Sequence, residues 1–495
     1  MAKLYFSTSD DVSRALTSRV KKGELKRIYR GIYTDANYAE IEKIAASNWH
    51  EIVHYLFPNA IAAYRTAHEL RPVDGRIYIV KDDVSRRKIS IGGALTIELL
   101  EGNTTELTEP FLPTLSRSSP ARQYLENLSI SRSKTKKSLG KEWVEQRLST
   151  ELRRENGENE LNKIRDQART FASKYGFESE FSKLNDIISS LLSTHSEGGC
   201  LVSEIAIATS QKVPFDIGRI DLFQSLADYL QRCNLEAASY TYNKSGWRNL
   251  AFFESYFSNF IEGTEFEIDE AEEIVFNGCT INGRREDTHD VVAVYRQVSD
   301  LQAMSETPSS ADELIEALQQ THFDIMRERK DKRPGKLKER VNKAGSSVFV
   351  KPNELVGTLT KAFEIYEALP KGLESAIFMQ FMISECHPFD DGNGRLSRIM
   401  MNRELHSADL HKIIVPTVHR DSYLNGLRQA TREGKFATIA KVFYQLQHYS
   451  ASIDWIVYGD ARDVLEGHKA HLLPDDGVTT FNRVIRNFKL NPPPQ

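Results

Sequence analysis

Between His387 and Arg398 the chain reads HPFDDGNGRLSR. One histidine, two adjacent aspartates, a Gly-Asn-Gly turn and two arginines three apart fall within a single short stretch. LESAIFMQFMISEC before it is almost wholly apolar, which predicts a buried helix. Proline disfavours helix in the residue ahead of it, so that helix ends at His387-Pro388. RLSRIMMNREL then starts a second helix, and Asp390–Gly394 becomes a loop opening onto a helix N-terminus. Unpaired N–H groups and the helix dipole make such a place an anion site. Gly392 and Gly394 allow turn conformations and close approach to an anion. Arg395 and Arg398, at i and i+3, can reach one side of it, and two guanidinium forks suit a polyphosphate. Asp391 can hold Mg²⁺, which takes one or two carboxylates plus phosphate oxygens. His387 can accept a proton near neutral pH. Together these are the parts of a phosphoryl or nucleotidyl transfer site. The pattern GxxxxGK[ST] is absent, so the loop is not a P-loop. Singly, each residue has a plainer reading: a core histidine, a helix cap, a solvated arginine face.

The same stretch matches the signature HPFx[D/E]GNGRxxR at every defined position, and the helical region from about 200 to 456 resembles the Fic family. The resemblance implies an all-α fold with a β-hairpin flap, and transfer of AMP from ATP to a Ser, Thr or Tyr hydroxyl of a target protein, with Mg²⁺. It implies His387 as general base, Asp391 as the metal ligand, and Gly392, Asn393 and Gly394 as the hole for the α- and β-phosphates. Arg395 and Arg398 are implied to hold the outer phosphates, and Phe389 to anchor the loop. The hairpin-like RVNKAGSSVFVKP (340–352) matches the flap that aligns a target segment by strand addition. Tyr423 lies where an aromatic often meets the adenine, though core packing explains it equally well.

SNFIEG (258–263) matches the family's inhibitory pattern [S/T]xxxE[G/N]. Ser258 and Glu262 stand at i and i+4 on one face of a helix spanning 247–262 that should end at Gly263. The implied brake is a carboxylate that occupies Arg398, so that ATP binds in an unproductive pose.

The elements that must carry these residues are mostly helical. From Leu201 to Ile456, seven stretches, from LFQSLADYLQRCNL to RLSRIMMNRELHSA, show helical spacing of apolar residues. The remainder, 457–495, reads as a loosely attached tail. Ahead of this region, residues 10–20 read as a short helix capped by Asp10, and ELKRIYRGIYTD as a hairpin turning at Arg30-Gly31. Helix plus basic hairpin is the outline of a winged helix, with Lys26, Arg27 and Arg30 placed to meet phosphates of DNA. RVKKGELKRIYRGIYTD followed by NAIAAYRTAHEL resembles the abortive-infection antitoxin family of bacterial regulators. Strand-like alternation over 76–113 predicts a small sheet. The expected organisation is an α+β winged-helix-like region at 1–130, a helical bridge at 131–199 with STHSEGG (193–199) as linker, a Fic domain at 200–456 and the tail.

Composition sets the outer bounds. At 495 residues the chain is too long for one core, and 40% hydrophobic with 27% charged residues fits a soluble globular protein. No apolar run reaches the ~18 residues of a spanning helix. The polar, acidic start predicts no signal peptide. Four scattered cysteines without CxxC predict neither disulfides nor zinc, and fit the cytoplasm. Residues 1–150 hold 24 Lys and Arg against 18 Asp and Glu, while the rest holds 41 against 51. The leading reading is an AMP-transferring enzyme restrained in cis, acting on a protein target or on itself. Its rivals are a DNA-binding regulator with a latent Fic domain, and a related enzyme that removes AMP or transfers another phosphate-containing group.

Overall fold

Ser9 sits in extended backbone and its side chain accepts the Val12 N–H, so the chain can enter a helix directly after it. The computed structural model of the protein describes residues 2–131, 135–192 and 200–490; the expected linker 193–199 lies outside them. The chain divides into two compact units, Met1–Lys212 and Val213–Gln495.

The first unit begins with β1 (Leu4–Phe6), α1 (Asp10–Lys21), β2 (Lys26–Tyr29) and β3 (Ile32–Thr34). The strands form an antiparallel sheet in the order β1-β3-β2, with the hairpin turn at Arg30-Gly31 as expected. Gly31 has φ of 75°, a conformation that favours glycine. Leu16, Leu25 and Tyr33 join α1 to this sheet. Then follow α2 (Ile41–Ser47), α3 (Trp49–Leu56), β4 (Ile61–Ala62), α4 (Tyr64–Glu69), β5 (Arg76–Lys81), β6 (Arg87–Ile91), β7 (Leu95–Glu101), β8 (Thr108–Leu112) and β9 (Leu115–Ser118). They include a six-stranded mixed sheet in the order β6-β7-β5-β4-β9-β8. Five helices complete the unit around their own apolar core: α5 (Pro120–Leu128), α6 (Lys141–Leu152), α7 (Gly157–Tyr175), α8 (Glu178–Leu191) and α9 (Glu204–Ser210).

The second unit is helical apart from one short hairpin. Its elements are α10 (Ile217–Arg232), α11 (Lys244–Ile261), α12 (Ile268–Asn277), α13 (Arg285–Ser299), α14 (Leu301–Ser305), α15 (Ala311–Met326), β10 (Lys343–Ala344), β11 (Ser347–Val348), α16 (Pro352–Glu367), α17 (Leu373–Cys386), α18 (Asn393–Ser407), α19 (Arg420–Glu433), α20 (Ala437–Ala451), α21 (Tyr458–Gly467) and α22 (Pro474–Ile485). The apolar run 373–386 forms α17, buried on nearly every side, as its lack of a polar face requires. The C-terminal residues are not a loose tail. Ala461, Leu465, Phe481 and Ile485 are buried in the same core as α11 and α17. Their spacing of four on two amphipathic helices is what burial on one face demands. Among the described residues no helix is long and apolar enough to cross a membrane, and no group of three or more His, Cys, Asp or Glu could hold a metal ion.

Candidate functional site

α17 stops where it does because His387 adopts the left-handed conformation, φ 48° and ψ 61°, directly before Pro388. The chain then makes a tight loop and re-enters helix at Asn393, with Gly392 (φ 74°) just ahead of it. Asn393 fixes this loop by two hydrogen bonds to one residue. Its Oδ1 accepts the Phe389 N–H at 3.0 Å and its Nδ2 donates to the Phe389 carbonyl at 2.9 Å. The Asn393 side chain therefore holds the loop, while its backbone N–H, in the first turn of α18, and its second Nδ2 proton remain for an anion. Phe389 is fully buried and its ring lies flat on His322, with centroids 3.8 Å apart and planes 4° apart. His322 Nδ1 accepts the Gly335 N–H at 2.9 Å, which leaves the proton on Nε2 to donate to the Asp391 carbonyl at 3.0 Å. Burial pushes the His322 imidazole down to about 4, so it stays neutral in this role.

His387 stands at the mouth of the loop. Its Nδ1 faces the Ser384 carbonyl at 3.3 Å, and one face of its ring is covered by Phe349, centroids 3.9 Å apart. Phe349 directly follows β11, so the hairpin is in contact with the histidine. Burial drives the His387 pKa down to about 4, which keeps the ring neutral and able to accept a proton at ordinary pH. Asn342, at the start of the hairpin, donates to the Phe389 carbonyl at 2.9 Å, and Lys338 donates to Asn342 Oδ1 at 2.8 Å. Asp390 and Asp391 are exposed at the loop. Asp390 takes both arms of Arg333, at 2.8 and 3.2 Å. Asp391 Oδ1 accepts the Gly392 N–H at 2.7 Å. With Asp390 taken by Arg333, the one carboxylate left beside the anion loop, Asp391, fits Mg²⁺ carried mainly by phosphate oxygens, and does not fit an ion held by protein alone.

The two arginines part company. Arg398 is buried and faces α11: its Nε donates to Ser258 Oγ at 3.0 Å, and its Nη2 to the Ser258 carbonyl at 2.9 Å and to Glu262 Oε1 at 2.7 Å. Arg395 was expected to reach outer phosphates beside it. Instead its Nη1 lies 2.6 Å from Asp290 Oδ2 on α13, and its Nη2 contacts Met326 Sδ at 3.1 Å. Asp290 also receives Arg329 Nε at 2.7 Å. A buried carboxylate must be paired, and Asp290 recruits Arg395 for that purpose. Tyr423, expected near the adenine, is buried in the core. It is 2% exposed, packs edge-on against Phe443, and its hydroxyl accepts from Gln380 Nε2 at 2.8 Å.

α11 carries Glu254 and Ser258 four residues apart, and Glu262 follows at the same interval as the residue that closes the helix. All three meet one row of partners. Glu254 Oε1 accepts from Asn402 Nδ2 at 2.8 Å and its Oε2 pairs with Lys412 Nζ at 2.6 Å, while Ser258 and Glu262 take Arg398. Gly263, at φ 91°, lets the chain leave immediately. The Glu262 carboxylate also lies against the backbone of Gly394, so that a Cβ there would run into it. It occupies the first turn of α18, where an anion is favoured. Desolvation works to raise the Glu262 carboxyl, but Arg398, with Arg395 and His387, holds it below the usual carboxylate range.

Residues 310–405 match the Fic/DOC family. The chain carries a Fic domain there. Structurally it is similar to a Fic domain containing signaling protein from Bacteroides thetaiotaomicron: 20% identity, covering 49% of this chain and 96% of that one, TM-score 0.37. It is also similar to a Fic-1 fragment from C. elegans, with 14% identity, 66% and 94% coverage, and TM-score 0.36. A Fic family protein from Desulfovibrio desulfuricans matches at 16% identity, 51% and 75% coverage, and TM-score 0.35. Likenesses at this level carry no residue roles. No curated protein matches the chain.

Of the hairpin residues, Lys26 is half-buried, with Nζ on the Ala36 carbonyl at 2.8 Å and over the Tyr38 ring at 4.4 Å. Arg27 and Arg30 are exposed. Sequence reasoning missed Asp290, His322, Asn342 and Phe349. Phe349 stands within a hairpin already singled out, and its aromatic ring next to a flap strand was the available signal.

Proposed function

We propose that the protein transfers AMP from ATP to a Ser, Thr or Tyr hydroxyl of a protein, and that Glu262 restrains this transfer in cis. One observation carries the reading: the Glu262 carboxylate sits on Arg398 at 2.7 Å and against Gly394, where a nucleotide phosphate belongs. A carboxylate there stands in for a phosphate and competes with it. With the carboxylate withdrawn, Arg398 is free to clamp the terminal phosphate. The N–H groups at the start of α18 then receive the inner ones. Neutral His387 takes the proton of the incoming hydroxyl as its oxygen forms a bond to the α-phosphorus. The bond to the β-phosphate oxygen breaks and pyrophosphate leaves. Asp391 is the residue that would hold Mg²⁺, whose charge offsets that of the phosphates. Arg395, paired with Asp290 at 2.6 Å, also helps to hold the Glu262 carboxyl low, and remains the second arginine for the outer phosphates.

Fic-domain proteins commonly transfer AMP or other groups to proteins, so the donor must be tested. Wild type, Glu262→Gly and His387→Ala are incubated with ATP, and products are weighed by mass spectrometry. A gain of AMP on protein with Glu262→Gly, absent with His387→Ala, is expected. A gain of phosphate or of UMP would sink the reading.

A further inference from the structure

The stretch 327–351, which leads into and forms the hairpin, holds ten Lys and Arg against three Asp and Glu, within a region 151–495 that is net acidic. Part of this charge is used internally. Arg329 pairs with Asp287 and Asp290, Arg333 with Asp390 and Glu339, and Lys338 is buried on Asn342. Arg340, Lys343 and Lys351 are exposed, and none has a carboxylate within ion-pair distance among the described residues. Arg432, exposed on α19, reaches the hairpin through Ser347 Oγ at 3.2 Å. These four cations ring a hairpin that touches His387.

The hairpin also has one open edge. Phe349 N–H donates to the Asn342 carbonyl at 3.2 Å, so the neighbouring pair Lys343 and Val348 is the kind whose main-chain groups point outward. On the β11 side the Val348 carbonyl is taken by Arg219 Nη2 at 2.7 Å. On the β10 side the N–H and carbonyl of Lys343 remain for an added strand.

We propose that the substrate class of this site is an acidic protein segment. Strand addition to this flap is what the family resemblance already implies; the new element is charge, with Asp or Glu flanking the hydroxyl residue and facing Arg340, Lys343, Lys351 and Arg432. This rests on the reading above that a protein hydroxyl is the acceptor. Unpaired cations around an open strand edge leave a neutral segment no compensation for their repulsion and give an acidic one several ion pairs at once.

Docking is measured without ATP, so that it does not depend on transfer. Short peptides with one central tyrosine and acidic, uncharged or basic flanks are titrated onto the full chain by fluorescence anisotropy. The acidic peptide is expected to bind about tenfold tighter than the uncharged one, the sum of several exposed pairs, with the gap closing as salt rises. The variant Arg340→Glu/Lys343→Glu should rank the basic peptide first. Equal binding, no binding, or an unchanged ranking in that variant overturns the proposal. So does a duplex oligonucleotide that outcompetes the acidic peptide at physiological salt. If the acidic peptide binds but gains no AMP from Glu262→Gly whether its central residue is serine, threonine or tyrosine, the transfer reading fails and the docking surface stands.

Discussion

Arg398 Nη2 and Glu262 Oε1 lie 2.7 Å apart although 136 residues separate them in sequence. The same guanidinium takes both the hydroxyl and the carbonyl of Ser258, so one side chain is held at three points by one helix end.

Glu262→Gly should therefore raise AMP transfer, onto the protein itself among other targets. A charge-assisted hydrogen bond is worth ~1.5–3 kcal/mol, which corresponds to about ten- to a hundredfold in the population of free Arg398. Adding Arg398→Ala should abolish the gain, because brake and clamp are lost together. Self-modification by both variants, followed by intact mass, checks this. No gain with Glu262→Gly would place control elsewhere.

The loop and the contact of Ser258 and Glu262 with Arg398 were legible because the residues that make them are local in sequence. His387 to Arg398 is a run of adjacent residues, and Ser258 and Glu262 are neighbours on one helix face. A loop between two helices could be placed from Pro388 and the apolar period alone, although α18 opens at Asn393, two residues before the expected start. What could not be read was long-range pairing. Nothing near Arg395 announces that Asp290, on another helix, needs a cation. Tyr423 stands in an amphipathic helix, and which way its ring turns depends on Gln380 and Phe443, far away in sequence. The C-terminal helices were underestimated because the polar, Pro-rich end NPPPQ coloured the reading of α21 and α22, whose apolar residues are spaced for burial.

Replacing His387 by alanine should cut transfer by ~10²–10⁴-fold, the usual contribution of a positioned base. Nucleotide binding in the Glu262→Gly background should change little, since the phosphates are met by Arg398 and the α18 backbone. Comparing ATP affinity with turnover separates the two. Unchanged turnover would remove His387 from the chemistry.

DNA binding by the first unit is a proposal that Arg27 and Arg30 must carry, because Lys26 is engaged by Ala36 and Tyr38. If the hairpin meets phosphates, alanine at both arginines should lower the slope of log affinity against log salt by about 0.9 for each lost contact. Lys26→Ala should lower it less. Titrations of the full chain on duplex DNA at several salt concentrations decide this, and the absence of any binding at low salt leaves the hairpin structural.

His419 is buried with neither ring nitrogen partnered among the described residues, and burial pushes its pKa down from 6.5 to about 4. Between those values the unfolded chain binds a proton that the folded chain refuses. Its contribution to stability is thus present above pH ~6.5 and is lost as pH falls towards 4. His419→Phe keeps the ring against Phe481 and removes the titration. The urea midpoint of the variant should fall less than that of wild type between pH 7 and pH 5. Parallel curves would mean that His419 is hydrated in solution.

The proposed brake is expected to depend also on the C-terminal helices. Tyr458 stacks on Phe253 of α11, with centroids 5.5 Å and planes 14° apart. Asn249 of α11 donates to the Trp455 carbonyl at 2.8 Å. From the same helix as Tyr458, Arg462 reaches Asp269 at 2.7 Å and Glu272 at 2.8 Å on α12. α11 is thus held at its start and middle by residues 455–462, while its last turn holds Arg398. Tyr458→Ala removes the stacked ring and leaves every residue of the motif loop untouched. Loosening α11 lowers the population with Glu262 on Arg398. Self-modification should rise several-fold, yet stay below that of Glu262→Gly. In Glu262→Gly itself, adding Tyr458→Ala should give no further rise, because the carboxylate it positions is gone. That absence of additivity distinguishes release of the brake from general loosening of the fold. If Tyr458→Ala raises self-modification equally in both backgrounds, the C-terminal helices act on the core rather than on the brake.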